Sequence, residues 1–105
     1  MPIVSRAAKE SPYVQGVDEQ IPYEITTTPW GSSPTGVSVV AKEITNAFTD
    51  VTATVFPVNS PTIAGDVITL SVLRSLTAEK VYRIEVKFTT GTTVWETYAE
   101  VRAEI

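Results

Sequence analysis

The sequence predicts an all-β chain folded as one antiparallel β-sandwich of about seven strands, the number a single domain of 105 residues accommodates. Three observations predict it. Apolar and polar residues alternate with a period of two through the C-terminal part of the chain. Short apolar runs are separated by clusters of Gly, Pro, Asn, Asp and Ser. No stretch repeats its apolar residues at the helical period of about 3.6. Val, Ile and Thr, which favour strands, are abundant.

Taken in order, residues 1–16 form an N-terminal arm or an edge strand, and residues 17–105 form the sandwich. In the first part Ile3, Val4, Ala7 and Ala8 could make a short strand, with Pro2 and Pro12 confining it to an edge. Val17 to Thr28 reads as the next strand, with Ile21, Tyr23 and Ile25 on one face. Pro22 faces outward by the same parity and removes a ladder hydrogen bond, which marks an edge or a bulge. Thr28 to Gly36 is a turn-rich loop with Trp30 at its tip. Trp30 either closes the open end of the sandwich or stands out as an anchor for a partner. Val37 to Ile44 is a strand with Val37, Val39 and Ala41 on one face. Val51 to Val58 is another, with Val51, Ala53 and Val55 inward. Asn59 to Asp66 is a loop, and Val67 to Leu73 follows as a strand with Ile68, Leu70 and Val72 on one face.

The stretch from Val81 to Ile105 is a hairpin. Tyr82, Ile84, Val86 and Phe88 alternate with Arg83, Glu85 and Lys87. On the second strand Trp95, Thr97, Ala99, Val101 and Ala103 share one face, and Glu96, Tyr98, Glu100 and Arg102 the other. Burial cost excludes any register that turns Glu96 inward. One surviving register, with a two-residue loop, sets Glu85 against Glu96, a like-charge pair, and lacks the Asn-Gly or Asp-Gly that two-residue loops favour. The other sets Lys87 against Glu96, Arg83 against Glu100 and Phe88 against Trp95. Cross-strand pairs are worth roughly 0.2–1 kcal/mol each, so the second is preferred. It is drawn here with a four-residue loop, Thr90 to Thr93, and with Gly91 at positive φ. Ahead of the hairpin, Leu76 stands six residues before Tyr82. That spacing resembles the tyrosine corner of immunoglobulin-like and fibronectin type III sandwiches, where a phenol bonds to nearby backbone. An ordinary core tyrosine is the alternative.

Composition narrows the chemistry. Cysteine and histidine are both absent. Disulfides, thiolate nucleophiles, Ser-His-Asp triads and His- or Cys-based metal sites are therefore excluded. Asp18, Glu19 and Glu24 lack the spacing of a calcium loop. The glycines stand singly, so no phosphate-cradling loop is encoded. A formal charge of −4, with scattered Lys and Arg, argues against nucleic acid as a partner. No apolar run approaches the roughly 18 residues of a membrane span, so no membrane partner is expected. Met1 to Arg6 lacks the plan of a signal peptide, and the chain is expected to be made in a cytoplasm and used as translated. These readings predict no enzyme, no cofactor, no metal and no small-molecule substrate. The candidate partner-binding residues are Tyr13, Trp30, Ser33, Thr35 and Tyr98, drawn from the first sixteen residues, the 28–36 loop and the outer face of the last strand.

Several segments together resemble a known family. They are Arg6-Ala7-Ala8-Lys9-Glu10-Ser11-Pro12, the Tyr-centred run Asp18 to Ile25, Trp30-Gly31, Leu76 with Val81 to Val86, the Thr-Thr-Gly turn, and Trp95-Glu96-Thr97-Tyr98 leading to Val101-Arg102. The chain is similar to small immunoglobulin-like proteins encoded among the structural genes of tailed bacteriophages and prophages, including fibre–tail adaptors and head-proximal proteins. The resemblance implies a virion building block, made in the bacterial host. It would act as a connector, tail or fibre adaptor or capsid surface decoration. It would bind other virion proteins and further copies of itself through sheet edges and loop tips. The alternative is an immunoglobulin-like module for surface carbohydrate or a cell-envelope partner, with Tyr13, Trp30, Trp95 and Tyr98 as the aromatic candidates.

Overall fold

The structure, a computed structural model, describes residues 13–104. The strand expected over Ile3, Val4, Ala7 and Ala8 lies outside the described residues. Two sheets face each other. One contains β1 (Tyr13–Gly16), β3 (Thr35–Glu43), β4 (Thr49–Asp50), β7 (Val81–Thr90) and β8 (Thr93–Glu104), in the order β1-β8-β7-β3-β4. The other contains β2 (Glu24–Thr26), β5 (Thr62–Ala64) and β6 (Val67–Thr69), in the order β2-β6-β5. One α-helical turn, α1 (Thr52–Val55), links β4 to β5. Strands β3, β7 and β8 occupy the places of strands C, F and G of an immunoglobulin-like sandwich, and β2, β6 and β5 those of B, E and D. The chain is an all-β immunoglobulin-like sandwich.

The hairpin sets the frame because its alternation is strict. Tyr82, Ile84, Val86 and Phe88 are all buried, and their neighbours in sequence face out. Lys87 lies opposite Glu96, Arg83 opposite Glu100 and Phe88 opposite Trp95, the register chosen on charge. The ladder runs one pair further than expected, to Thr90 opposite Thr93. The loop is therefore Gly91-Thr92 rather than four residues, with Gly91 at φ 59°. A glycine in the first place of a two-residue turn matches the twist of the strands and needs no Asn-Gly pair.

The corner before β7 is a tyrosine corner. The Tyr82 phenol oxygen accepts a 2.8 Å hydrogen bond from the Thr77 N–H, and Leu76 is buried beside it. It pins the crossover from β6 in one sheet to β7 in the other.

Elsewhere the local chemistry overrides the expected strands. The strand drawn over Val17 to Thr28 shrinks to β2 plus a single bridge between Ile21 and Leu73. Between that bridge and the Glu24–Thr69 pair, the β6 side holds one more residue than the β2 side. The bulge lies opposite Pro22, which has no N–H to give the ladder. It also breaks the alternation drawn for Val67 to Leu73. Leu70 and Leu73 are buried, and Val72 is turned out to solvent.

Val51 to Val58 is not a strand. The Asp50 carboxylate accepts the Thr52 N–H at 2.9 Å and its hydroxyl at 2.7 Å. The Thr52 oxygen in turn accepts the Ala41 N–H at 2.9 Å. These contacts favour a helical turn, and it delivers two consecutive residues, Val55 and Phe56, into the core. A strand cannot bury neighbours in this way. The loop drawn over Asn59 to Asp66 contains β5, joined to β6 by Gly65-Asp66 with Gly65 at φ 60°. Finally, the sandwich is not antiparallel throughout, because β1 runs parallel to β8. No hairpin joins these two strands, so nothing in the connection forces them antiparallel.

Two tests follow from these contacts. Tyr82→Phe leaves the Thr77 N–H without its partner, and chemical denaturation should show a loss of about 1–2 kcal/mol with an unchanged m-value. Asp50 tests the α1 turn. Hydrogen bonds from the Thr52 side chain and backbone, with Lys42 adding attraction, hold its carboxyl below the usual range. A lowered folded pKa contributes stability above the unfolded value of about 3.9 and loses it as pH falls through the folded value. Asp50→Asn should therefore be less stable than the parent at neutral pH, with the gap closing as the acid limb is followed down by urea titration.

Candidate functional site

An apolar cleft of about 360 Å³ opens between the sheets, on the side where β2 faces β8. Its floor is set by small side chains. The inward row of β8 reads Trp95, Thr97, Ala99, Val101, and Ala99 lies directly opposite Ile84 of β7. Across the gap, β2 offers Tyr23 and Ile25. With only a methyl group at Ala99, the two sheets do not fill the space between them there. Tyr13 stands at the rim near Val101, and Trp30 closes the end near Phe88. Among the described residues, Glu24 is the one charged residue in the lining.

Trp30 is positioned by a loop that is tied down at several points. Its N–H and that of Gly31 both bond to the Thr27 carbonyl at 2.8 Å. The turn between β5 and β6 holds the same loop. The Asp66 carbonyl accepts the Thr27 N–H at 2.7 Å, and the Asp66 carboxylate accepts the Ser33 N–H and the Thr28 hydroxyl. Gly31 is required by close approach. A methyl group there would sit 2.5 Å from the Thr90 hydroxyl oxygen, which already accepts the Trp95 indole N–H at 2.9 Å. The indole of Trp30 meets the Phe88 ring edge-on at 6.1 Å. It therefore packs as the end plug of the sandwich, half-buried.

At the other end of the cleft, Tyr13 and Tyr23 pack ring against ring at 5.3 Å. Beneath them Gln15 is fully buried. Its amide donates to the carbonyls of Leu73 and Glu19 at 2.8 and 3.0 Å, and its oxygen accepts the Tyr23 phenol at 2.9 Å. This cluster joins β1 to the opposite sheet. Burial first, then the Glu19 carboxylate and then Tyr13, raise the Tyr23 pKa.

The sequence-derived site residues divide into three places. Tyr13 and Trp30 share the cleft. Ser33 is exposed on the loop beyond Trp30 and Thr35 is exposed as the first residue of β3, at the same end of the molecule. Tyr98 lies on the outer face of the β8 sheet, under the Arg83 guanidinium at 4.0 Å. That face carries a shallower depression of about 210 Å³, lined mainly by charged and polar side chains. Glu85 lies 3.8 Å from Lys42 and 3.3 Å from Arg83 Nε, the latter without the alignment of a hydrogen bond. The aromatic residues Trp30 and Tyr98 thus sit on opposite sides of one sheet and form no common platform. Reading the sequence missed Gln15, Asp66 and the Gly31–Thr90 contact. Only Gly65-Asp66, a hairpin dipeptide, carried a signal that could have found one of them.

Among the described residues no group of three or more His, Cys, Asp or Glu is placed to hold a metal ion, and no helix is long and apolar enough to cross a membrane. No family model matches the chain, and no curated protein or solved structure is significantly similar to it.

Tyr23→Phe tests the cluster that anchors β1. It leaves the buried Gln15 oxygen without a donor, at a cost of about 1–2 kcal/mol near neutral pH. A raised tyrosine pKa contributes stability below the unfolded value of about 10 and loses it as pH rises through the folded value. The variant should therefore lose less stability than the parent on alkaline titration, followed by circular dichroism.

Proposed function

We propose that this protein is a non-enzymatic structural component of a tailed-phage particle, working through protein–protein contacts at a connector, a tail or fibre junction, or the capsid surface. Its partners are other virion proteins and further copies of itself, and it reaches the virion from the bacterial cytoplasm in which it is made. The residue resemblance from Arg6 to Arg102 supports the particle assignment. The observation that supports contact-based function is the cleft itself. It is apolar, has aromatic residues at both ends and lies beside an edge strand, an arrangement suited to accepting polypeptide. Small ligands are usually fixed by a few convergent polar groups, and among the described residues Glu24 is the one charged residue in this lining.

The test is the proteome of purified particles. Mass spectrometry of phage or induced prophage particles should find this chain enriched over a lysate control at a fixed copy number per particle. That number separates a connector ring from a surface decoration. A chain abundant in the lysate and missing from intact particles would remove the assignment.

A further inference from the structure

We propose that the edge of β3 is a latent pairing site for the β3 strand of a second copy, held closed by two side chains, Asn59 and Thr52. This inference is independent of the phage reading. It rests on which peptide groups of β3 face the edge and on what occupies them.

Strand β3 pairs with β7 along one side. On the other side β4 pairs with Lys42 and Glu43 alone, so among the described residues no strand covers the edge from Thr35 to Ala41. The sequence there invites pairing. It reads Thr-Gly-Val-Ser-Val-Val-Ala, with no charge and no proline. Uncharged segments of this kind add strands edge to edge unless a charge, a bulge or a covering segment prevents it. A register shift between Thr35 and Ser38 interrupts the first part of the edge. Ser38 to Ala41 remains as regular strand.

Alternation decides which groups this stretch presents, because the peptide groups of successive residues point to opposite edges. Ala41 points away from β7, since its carbonyl accepts the Val51 N–H at 2.9 Å. Val39 points the same way. These are the two residues that side chains occupy. After Val51 the chain leaves the ladder as α1, and the Thr52 hydroxyl oxygen accepts the Ala41 N–H at 2.9 Å, where a strand would offer a carbonyl. The Asp50 carboxylate takes the Thr52 hydroxyl proton at 2.7 Å, which leaves the oxygen lone pairs for Ala41. The Asn59 side-chain amide donates to the Val39 carbonyl at 2.9 Å, where a strand would offer an N–H. Asn59 is exposed, so burial does not account for its placement. The two side chains bond as a neighbouring strand would and present no new edge of their own.

A second copy fits the edge because β3 is complementary to itself. Antiparallel pairing centred on Val39 sets Val39 against its counterpart, Ser38 against Val40, Ala41 against Val37 and Lys42 against Gly36. No charge meets a like charge in that register.

Asn59→Ala removes one cap and leaves the inward row of β3 intact. In the full chain, light scattering should find it associating at a protein concentration on the order of tenfold below that of the parent, the factor that one lost hydrogen bond in the closed state supplies. Thr52→Val, at the other cap, should lower the onset likewise, and it decides the matter if Asn59→Ala does not fold. Ser38 is exposed and lies opposite Lys87 within the sheet. Adding Ser38→Glu to Asn59→Ala places a charge on the pairing strand and should return the onset to within about twofold of the parent. Tyr82→Phe, which loses a backbone hydrogen bond elsewhere, should keep the parental onset. Folded cap variants that associate no more readily than the parent would overturn the proposal. So would equal association by Tyr82→Phe, which would make lost stability the cause, or continued association after Ser38→Glu, which would place the contact away from β3.

Discussion

The strict alternation of the β7–β8 hairpin constrains the whole molecule. Its inward row supplies the central layer of the core, including Phe88 and Val86, which are almost wholly buried. Burying a side chain of this size contributes about 1.5–3 kcal/mol, and a one-residue slip would turn the entire row out to solvent. Everything else docks on this ribbon. Strand β3 pairs with β7 from Thr35 to Glu43, β1 pairs with the end of β8, and the tyrosine corner delivers β7 from the other sheet. The hairpin also defines the cleft, because the spacing of small and large residues along β8 decides where the sheets meet and where they part.

What was legible in the sequence follows from how local each signal is. The hairpin register could be read because its information is carried by facing pairs, Lys87 with Glu96 and Arg83 with Glu100, joined by a short turn. The tyrosine corner could be read because its partners lie within a few residues. The α1 turn could not. Val51 to Val58 is rich in β-branched residues, and the competing preference comes from Asp50 and from Ala41, which is distant in sequence. The Leu70–Leu73 bulge depends on Pro22, about fifty residues away, which a scan of one segment does not weigh. The burial of Gln15 was invisible because it depends on three partners, Leu73, Glu19 and Tyr23, which only the fold assembles.

The candidate site was legible in part for the same reason. Aromatic residues in loops and arms are reasonable contact residues, and Tyr13 and Trp30 do meet at one cleft. Their roles differ from those of exposed anchors. Each is engaged on one side by another ring, Tyr23 for Tyr13 and Phe88 for Trp30, so each presents an edge or a single face to the cleft. Tyr98 belongs to the opposite face because strand parity puts it there, and no adjustment short of a register slip can bring it to the others.

Among the described residues, no strand pairs with the edge of β8 from Thr93 to Glu100, which lies beside the cleft. An uncovered strand edge beside an apolar cleft is a template for adding another strand, whether productive or not. Natural sheets blunt such edges with charge, and β8 carries Glu96 and Glu100 on its outer face. Those carboxylates disfavour edge-to-edge pairing between copies, since a second β8 would bring like charges together. They do nothing to cover the inward side, where Ala99 and Val101 face the cleft.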